Sequence, residues 1–178
     1  MKYLMGIDNG GTFSKAALFD ENGVQISVSS MPTRLITPRP GYMERDMDEL
    51  WEINAQVCRE AIKKAGIASG DIAGVSFSGH GKGLYLVDAD GRPAYHGIVS
   101  TDTRAWAQVE RWYREGTSEK VYEKTFQEIL AVQPAALLAW FKEHEPGVLE
   151  NTRYIFSVKD YIRFRITGEA YSEYTDCS

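Results

Sequence analysis

Met5-Gly6-Ile7-Asp8-Asn9-Gly10-Gly11-Thr12-Phe13-Ser14-Lys15 is the stretch on which the reading of this chain turns. One apolar run, Tyr3 to Ile7, leads into it and a second, Ala16 to Phe19, leads out. Apolar runs joined through Asn9-Gly10 read as a hairpin with a type I′ turn. A hairpin accounts for the glycines but not for Asp8, because an unpaired carboxylate buried in an apolar strand costs several kcal/mol, on the order of other buried charges. An acid at a strand end, a glycine turn with bare backbone N–H groups, a hydroxyl and a lysine together suit a magnesium-bound phosphate tail. Asp8 is thus the expected metal residue, and Gly10, Gly11, Thr12 and Lys15 the expected phosphate-binding residues. No Gly-x-x-x-x-Gly-Lys-Ser/Thr loop occurs, and the turn leads into a strand where a dinucleotide fingerprint would lead into a helix.

Outward from the turn, strands are expected at Tyr3 to Asp8 and Ser14 to Asp20. Glu21-Asn22-Gly23 then turns into a third strand, where Val24, Ile26 and Val28 alternate with polar residues. A polar loop, Pro32 to Arg45, precedes a helix whose apolar positions run from Met47 to Ala65, with Asp46 and Glu49 as a capping box and Gly66 as C-cap. Strands are predicted at Ile72 to Ser78, Leu84 to Val87, Ile98 to Ser100 and Tyr154 to Phe156. Helices are predicted from near Asp102, with Trp106, Val109 and Tyr113 on one face, from Pro134 through Phe141, and from Ser157 to Thr167-Gly168. Strands interleaved with helices make an α/β protein.

The composition, 43% hydrophobic and 25% charged over 178 residues, is that of one soluble, well-cored domain. A net charge of -5 leaves no basic stripe to neutralise phosphates, so nucleic acid is not the expected partner. No apolar run reaches membrane-spanning length, and the N-terminus lacks the layout of a signal peptide, so no membrane partner and a cytoplasmic location are expected. Cys58 and Cys177 stand apart and make neither a disulfide framework nor a zinc site; both read as inert thiols. Met1 directly before a strand suits a natural start, whereas Tyr171 to Ser178 reads as heading into further structure, and a fragment is expected.

The hairpin resembles the first phosphate motif of the superfamily that unites actin, Hsp70 and the sugar kinases, which opens on a three-stranded meander. The fold this implies is α/β and ribonuclease H-like, a mixed sheet with flanking helices. Three further segments look like the N-terminal half of the FGGY carbohydrate kinases, in consistent order over nearly the whole chain. They are Pro40-Gly41-Tyr42-Met43-Glu44-Arg45-Asp46, then Gly79-His80-Gly81-Lys82-Gly83 with Ile98-Val99-Ser100-Thr101-Asp102-Thr103-Arg104, and Lys159-Asp160-Tyr161 with Thr167-Gly168-Glu169. The Gly-Lys-Gly loop and the Ser-Thr-Asp-Thr-Arg segment are most similar to the L-xylulose kinase branch.

The resemblance implies transfer of the γ-phosphoryl of ATP to a ketopentose or related sugar or polyol, with ATP and Mg²⁺ as cofactors. Asp8 would hold the metal through water, Gly10, Gly11 and Thr12 would approach the phosphates, and Lys15, in the place of a family arginine, would offset developing charge. His80, Gly81, Lys82, Asp102 and Arg104 would bind the sugar. Asp102 also suits a helix cap, Lys82 a solvated loop position and His80 a hydrogen-bonded bystander. Ser100 stands where many members carry a tryptophan, and no aromatic lies near Val132, so a wider or more polar pocket is expected, with Gln133 as a polar contact. The general-base aspartate and the adenosine contacts would lie beyond Ser178, and Asp176 reads as structural. Residues 1–178 would then be the N-terminal, sugar-binding domain, cut before its end and inactive without its ATP-binding C-terminal domain. Sugar and ATP are the expected partners, with a homodimer left open. The alternative is a non-catalytic sugar-binding or regulatory module on the same fold; iron–sulfur activator ATPases would need clustered cysteines, and an actin-like scaffold would have no use for the sugar loops.

Overall fold

The computed structural model describes residues 2–177, without the side chains of Thr175 and Cys177. The readings made for Met1 and for the Cys177 thiol lie outside the described residues. In chain order the first half runs β1 (Tyr3–Asn9), β2 (Phe13–Asp20), β3 (Gln25–Pro32), β4 (Glu44–Arg45), α1 (Met47–Ala65), β5 (Ile72–Gly79) and β6 (Tyr85–Val87). The second half runs β7 (Gly97–Ile98), α2 (Trp106–Arg114), α3 (Thr117–Thr125), α4 (Pro134–His144), α5 (Pro146–Glu150), β8 (Tyr154–Phe156) and α6 (Val158–Thr167). The main sheet has the order β3-β2-β1-β5, with β5 parallel to β1 and the meander antiparallel. Two small antiparallel pairs, β4 with β7 and β6 with β8, carry the remaining strands.

The meander packs one face on α1. Met5 and Ile7 of β1 and Ala16 and Leu18 of β2 meet Val57 and Ala61 of the helix. In β3 it is the serines that turn inward: Ser27 and Ser29 are buried, and Ser27 Oγ donates to the Ala61 carbonyl at 2.7 Å. Ile26 and Val28 point the other way and stay exposed, as do Leu4 and Phe13. The alternation expected for β3 is present, with its apolar set on the face away from α1. By the same period of two, Asp8 lies on that open face, between buried Ile7 and Asn9. It is half-buried, so the argument from a fully buried carboxylate does not hold.

Local signals set α1. Asp46 accepts from the N–H groups of Asp48 and Glu49, both at 2.9 Å, and Gly66 closes the helix at φ 66°. The reciprocal half of the capping box is absent, because Glu49 pairs with Arg34. Only Val109 of the expected α2 stripe is buried; Trp106 and Tyr113 are exposed. The helix starts at Trp106, behind a loop, and Asp102 does not cap it. Burial pushes the Cys58 thiol up to about 11, which keeps it protonated. Among the described residues no helix is long and apolar enough to cross a membrane.

Asp46→Ala removes two charge-assisted cap bonds and is expected to cost about 1 kcal/mol in urea denaturation. Asp46→Asn should recover most of it, since an asparagine oxygen accepts the same N–H groups. Equal losses in both variants would show that the cap is not what the carboxylate contributes.

Candidate active site

The turn between β1 and β2 is wider than a type I′ turn. Asn9 pairs with Ser14, and the Gly10 N–H donates to the Phe13 carbonyl at 3.0 Å. Neither Gly10 nor Gly11 has a left-handed φ. A Cβ on Gly11 would meet nothing within 4 Å, and one on Gly10 only an ordinary contact with the Phe13 carbonyl. The fold therefore does not require glycine at either position. Gly83 is the opposite case: its φ is +78° and a Cβ would collide with the Ile98 carbonyl. What bare backbone at Gly10 and Gly11 provides is room for something outside the described residues to come close. The N–H groups of Gly11 and Thr12 have no hydrogen-bond partner among the described residues, and both residues are exposed. Asp8 and Lys15 face each other across the strands, on the same side of the sheet, with no ion-pair partner among the described residues.

Polar side chains support the turn from the α1 side. Asn9 is fully buried, and its Oδ1 accepts from Ser14 Oγ and from Asn54 Nδ2, each at 2.8 Å. Asn54 also donates to the Leu50 carbonyl within α1, so the helix and the hairpin are tied at one point. Arg45 of β4 reaches under the turn and donates to the Gly11 carbonyl at 2.7 Å and to that of Gly10 at 3.4 Å. Neither Arg45 nor Asn54 is among the sequence-predicted site residues.

The loop after β5 stands beside this turn, because β5 runs parallel to β1 and the His80 N–H donates to the Asn9 carbonyl at 2.9 Å. His80 Nε2 lies 3.0 Å from the Tyr85 hydroxyl. Burial, and then the positive charge of Arg45, push the imidazole down to about 4, so the ring is neutral at pH 7. Burial pushes the Tyr85 phenol up, so the tyrosine keeps its proton; with the neutral ring's N–H at Nδ1, beside the Gly81 carbonyl, the phenol donates to Nε2. Gly81 and Lys82 are exposed, and Lys82 takes a left-handed φ of 65°, uncommon for a side chain of its kind. Lys82 and Gly83 border a cavity of about 450 Å³, walled on its apolar side by Trp112, Val121 and Ile129. Gln133 also borders it, and its Oε1 is taken by the Leu130 N–H. The volume suits a small ligand, and apolar and polar side chains share the wall.

Asp102 and Arg104 are not presented to this cavity. Both side chains are 0% exposed. Asp102 accepts from the N–H groups of Met43 and Arg104 and from the Arg104 guanidinium, which also donates to Glu44 at 2.7 Å. The Arg104 guanidinium lies 4.3 Å from the Tyr42 ring centre and 5.2 Å from that of Trp140. Burial alone would raise the Glu44 carboxyl, but hydrogen bonds from His96, Arg104 and Tyr95 outweigh it and hold the group below its usual range. In this domain the two residues form a buried brace that fixes the loops carrying Tyr42 and Thr103.

Residues 3–178 match the FGGY family of carbohydrate kinases, N-terminal domain. The chain belongs to this family. FGGY relatives include a probable L-xylulose kinase of Pasteurella multocida, 42% identical over the whole chain and 37% of that protein. The L-xylulose/3-keto-L-gulonate kinase of Escherichia coli is 38% identical over 94% of the chain and 34% of its own length. The ligand-bound xylulose kinase structure from Lactobacillus acidophilus superposes with a TM-score of 0.88 at 26% identity, over 96% of this chain and 34% of that one. The chain thus spans little more than a third of these FGGY proteins, and its mixed sheet with flanking helices is the sugar-kinase fold of the actin and Hsp70 superfamily.

Two expectations for this FGGY domain follow. Asp102→Ala leaves Arg104 buried with one carboxylate fewer and should cost about 3 to 5 kcal/mol of stability, with the sugar KM of the full-length protein near the parent's. A raised KM at unchanged stability would return Asp102 to the sugar site. For His80 the folded-state value lies below the unfolded one, so the unfolded chain binds the extra proton, and stability falls as the pH drops from about 6.5 to 4. Over that interval the parent should lose about 3 kcal/mol more than His80→Gln, read from urea midpoints at successive pH values.

Proposed function

We propose that this chain is the sugar-binding N-terminal part of an ATP-dependent kinase that phosphorylates a ketopentose or related sugar of the L-xylulose kind. The remaining length of the protein would supply the general base and the adenosine site. One observation carries the reading. Gly10 and Gly11 are glycines the fold does not need, next to two N–H groups, a carboxylate and a lysine that have no partner among the described residues.

Phosphoryl transfer needs positioning and charge stabilisation more than covalent help from the protein. The Gly11 and Thr12 N–H groups would hold phosphate oxygens, and Lys15 would offset charge as the sugar hydroxyl bonds to the γ-phosphorus and the bond to the β-phosphate breaks. Among the described residues no group of three or more metal-ligating side chains occurs, so Asp8 would meet a magnesium ion that arrives with the nucleotide. That ion would neutralise phosphate charge. Lys82, held out in its left-handed conformation beside the cavity, would meet the sugar, with Gly81 giving it room. His80, braced on Tyr85, would set the loop. The same-fold, non-catalytic alternative would need neither Asp8 nor the bare glycines.

Asp8→Asn in the full-length protein should lower kcat by orders of magnitude with sugar binding nearly unchanged. Gly11→Ala should leave the melting temperature within the range of surface substitutions and raise the KM for Mg-ATP, because the added methyl meets only the nucleotide. Steady-state kinetics and calorimetric sugar titrations check both; normal turnover in both variants would remove the phosphate assignment.

A further inference from the structure

Arg45 is 1% exposed and has no carboxylate within ion-pair distance among the described residues. Its neighbour Glu44 points to the other side of the two-residue strand, into the Arg104 brace. Among the described residues, the hydrogen-bond partners of the Arg45 guanidinium are the backbone carbonyls of Gly10 and Gly11. Its Nε and the nearby Asn9 Nδ2 are both buried donors without an acceptor. Asn54 Oδ1 is an orphan acceptor in the same region, so what sets the space beneath the turn apart is a buried positive charge with no carboxylate beside it among the described residues. Buried groups of this kind are unfavourable for the fold alone.

Peptide geometry says what that arrangement accomplishes. In a trans peptide the C=O and N–H point in opposite directions. The Gly10 carbonyl shares its peptide with the Gly11 N–H, and the Gly11 carbonyl with the Thr12 N–H. Drawing both carbonyls down onto Arg45 turns both N–H groups outward, and these are the two exposed N–H groups that have no partner. We infer that Arg45 is a positioning residue for phosphoryl transfer, which aims the Gly11 and Thr12 N–H groups at the incoming phosphates and places a buried positive charge beneath them. This rests on the phosphate reading of the turn. The same charge also disfavours protonation of His80, so the cation acts at the junction of the two loops.

The test uses the full-length protein with Arg45→Ala and Arg45→Lys, with Asp8→Asn as a control. Arg45→Ala should lower kcat about 100-fold, the scale for losing preorganised donors, and raise the KM for Mg-ATP, with the calorimetric Kd for the sugar unchanged. Millimolar guanidinium should restore much of the lost rate, whereas sodium chloride at equal ionic strength should not. Arg45→Lys keeps the charge without the planar fork and should lose about tenfold in kcat at an unchanged melting temperature; it carries the decision if the alanine variant does not fold. Parent-like kinetics in Arg45→Lys overturn the inference. So does a parallel loss of stability, sugar affinity and rate that guanidinium leaves untouched, because that is the signature of a merely structural arginine. Inactive Asp8→Asn beside normal Arg45 variants would sink this inference and keep the phosphate reading, whereas normal Asp8→Asn would sink the phosphate reading itself.

Discussion

β1 is hydrogen-bonded on both sides, antiparallel to β2 and parallel to β5, and the arrangement of the site follows from that double pairing. An antiparallel partner can return through a short turn, which places Gly10 to Thr12 at the end of β1. A parallel partner must arrive by a crossover, here through α1, and its carboxyl end then lies beside that turn. The register Asn9 to Gly79 is close enough that the backbone of one loop bonds to the other, through the His80 N–H and the Asn9 carbonyl. A Cβ on Gly79 would collide with Val158, so this junction also depends on the close approach of α6.

The two buried arginines divide the labour of the region. Arg104 is surrounded by what a buried cation needs for stability, two carboxylates and aromatic faces, and its work is to hold loops. Arg45 has carbonyls only, and the favourable partner for its charge is missing from the described residues. The contrast matters because both belong to one short stretch of structure: Glu44 of β4 serves the first arginine, and Arg45 of the same strand serves the turn. A two-residue strand thus links the Arg104 brace to the backbone of the β1–β2 turn.

What could be read from the sequence was local or periodic. The bounds of α1 follow from Asp46 and Gly66, the hairpin from two apolar runs, and α6 from Ser157 and Gly168, each within a few residues of the element. Side-chain direction was harder. In β3 the apolar residues alternate as expected, but small serines fit against α1 while Ile26 and Val28 face away, a choice set by the helix and not by the strand. The burial of Asp102 and Arg104 is not legible in the sequence, because their partner Glu44 lies 60 positions earlier than Arg104. Arg45 gave no signal at all, since two adjacent charges in a proline-marked loop do not say which one turns inward. Helices α3 and α5 are short and lack a clean apolar stripe, and neither was anticipated. The candidate residues on the turn stand out in the sequence because the acid, the glycines and the lysine fall within one short stretch.

We propose that the β1–β2 turn is a phosphate cradle whose N–H groups are aimed from below by Arg45. A crystal structure of the full-length protein with magnesium and a non-hydrolysable ATP analogue tests it most directly. Phosphate oxygens are expected within hydrogen-bond distance of the Gly11 and Thr12 nitrogens, with the metal near Asp8 and Arg45 still bonded to the Gly10 and Gly11 carbonyls. Phosphates bound elsewhere, or bound at the turn with its carbonyls facing them and Arg45 released, would contradict it.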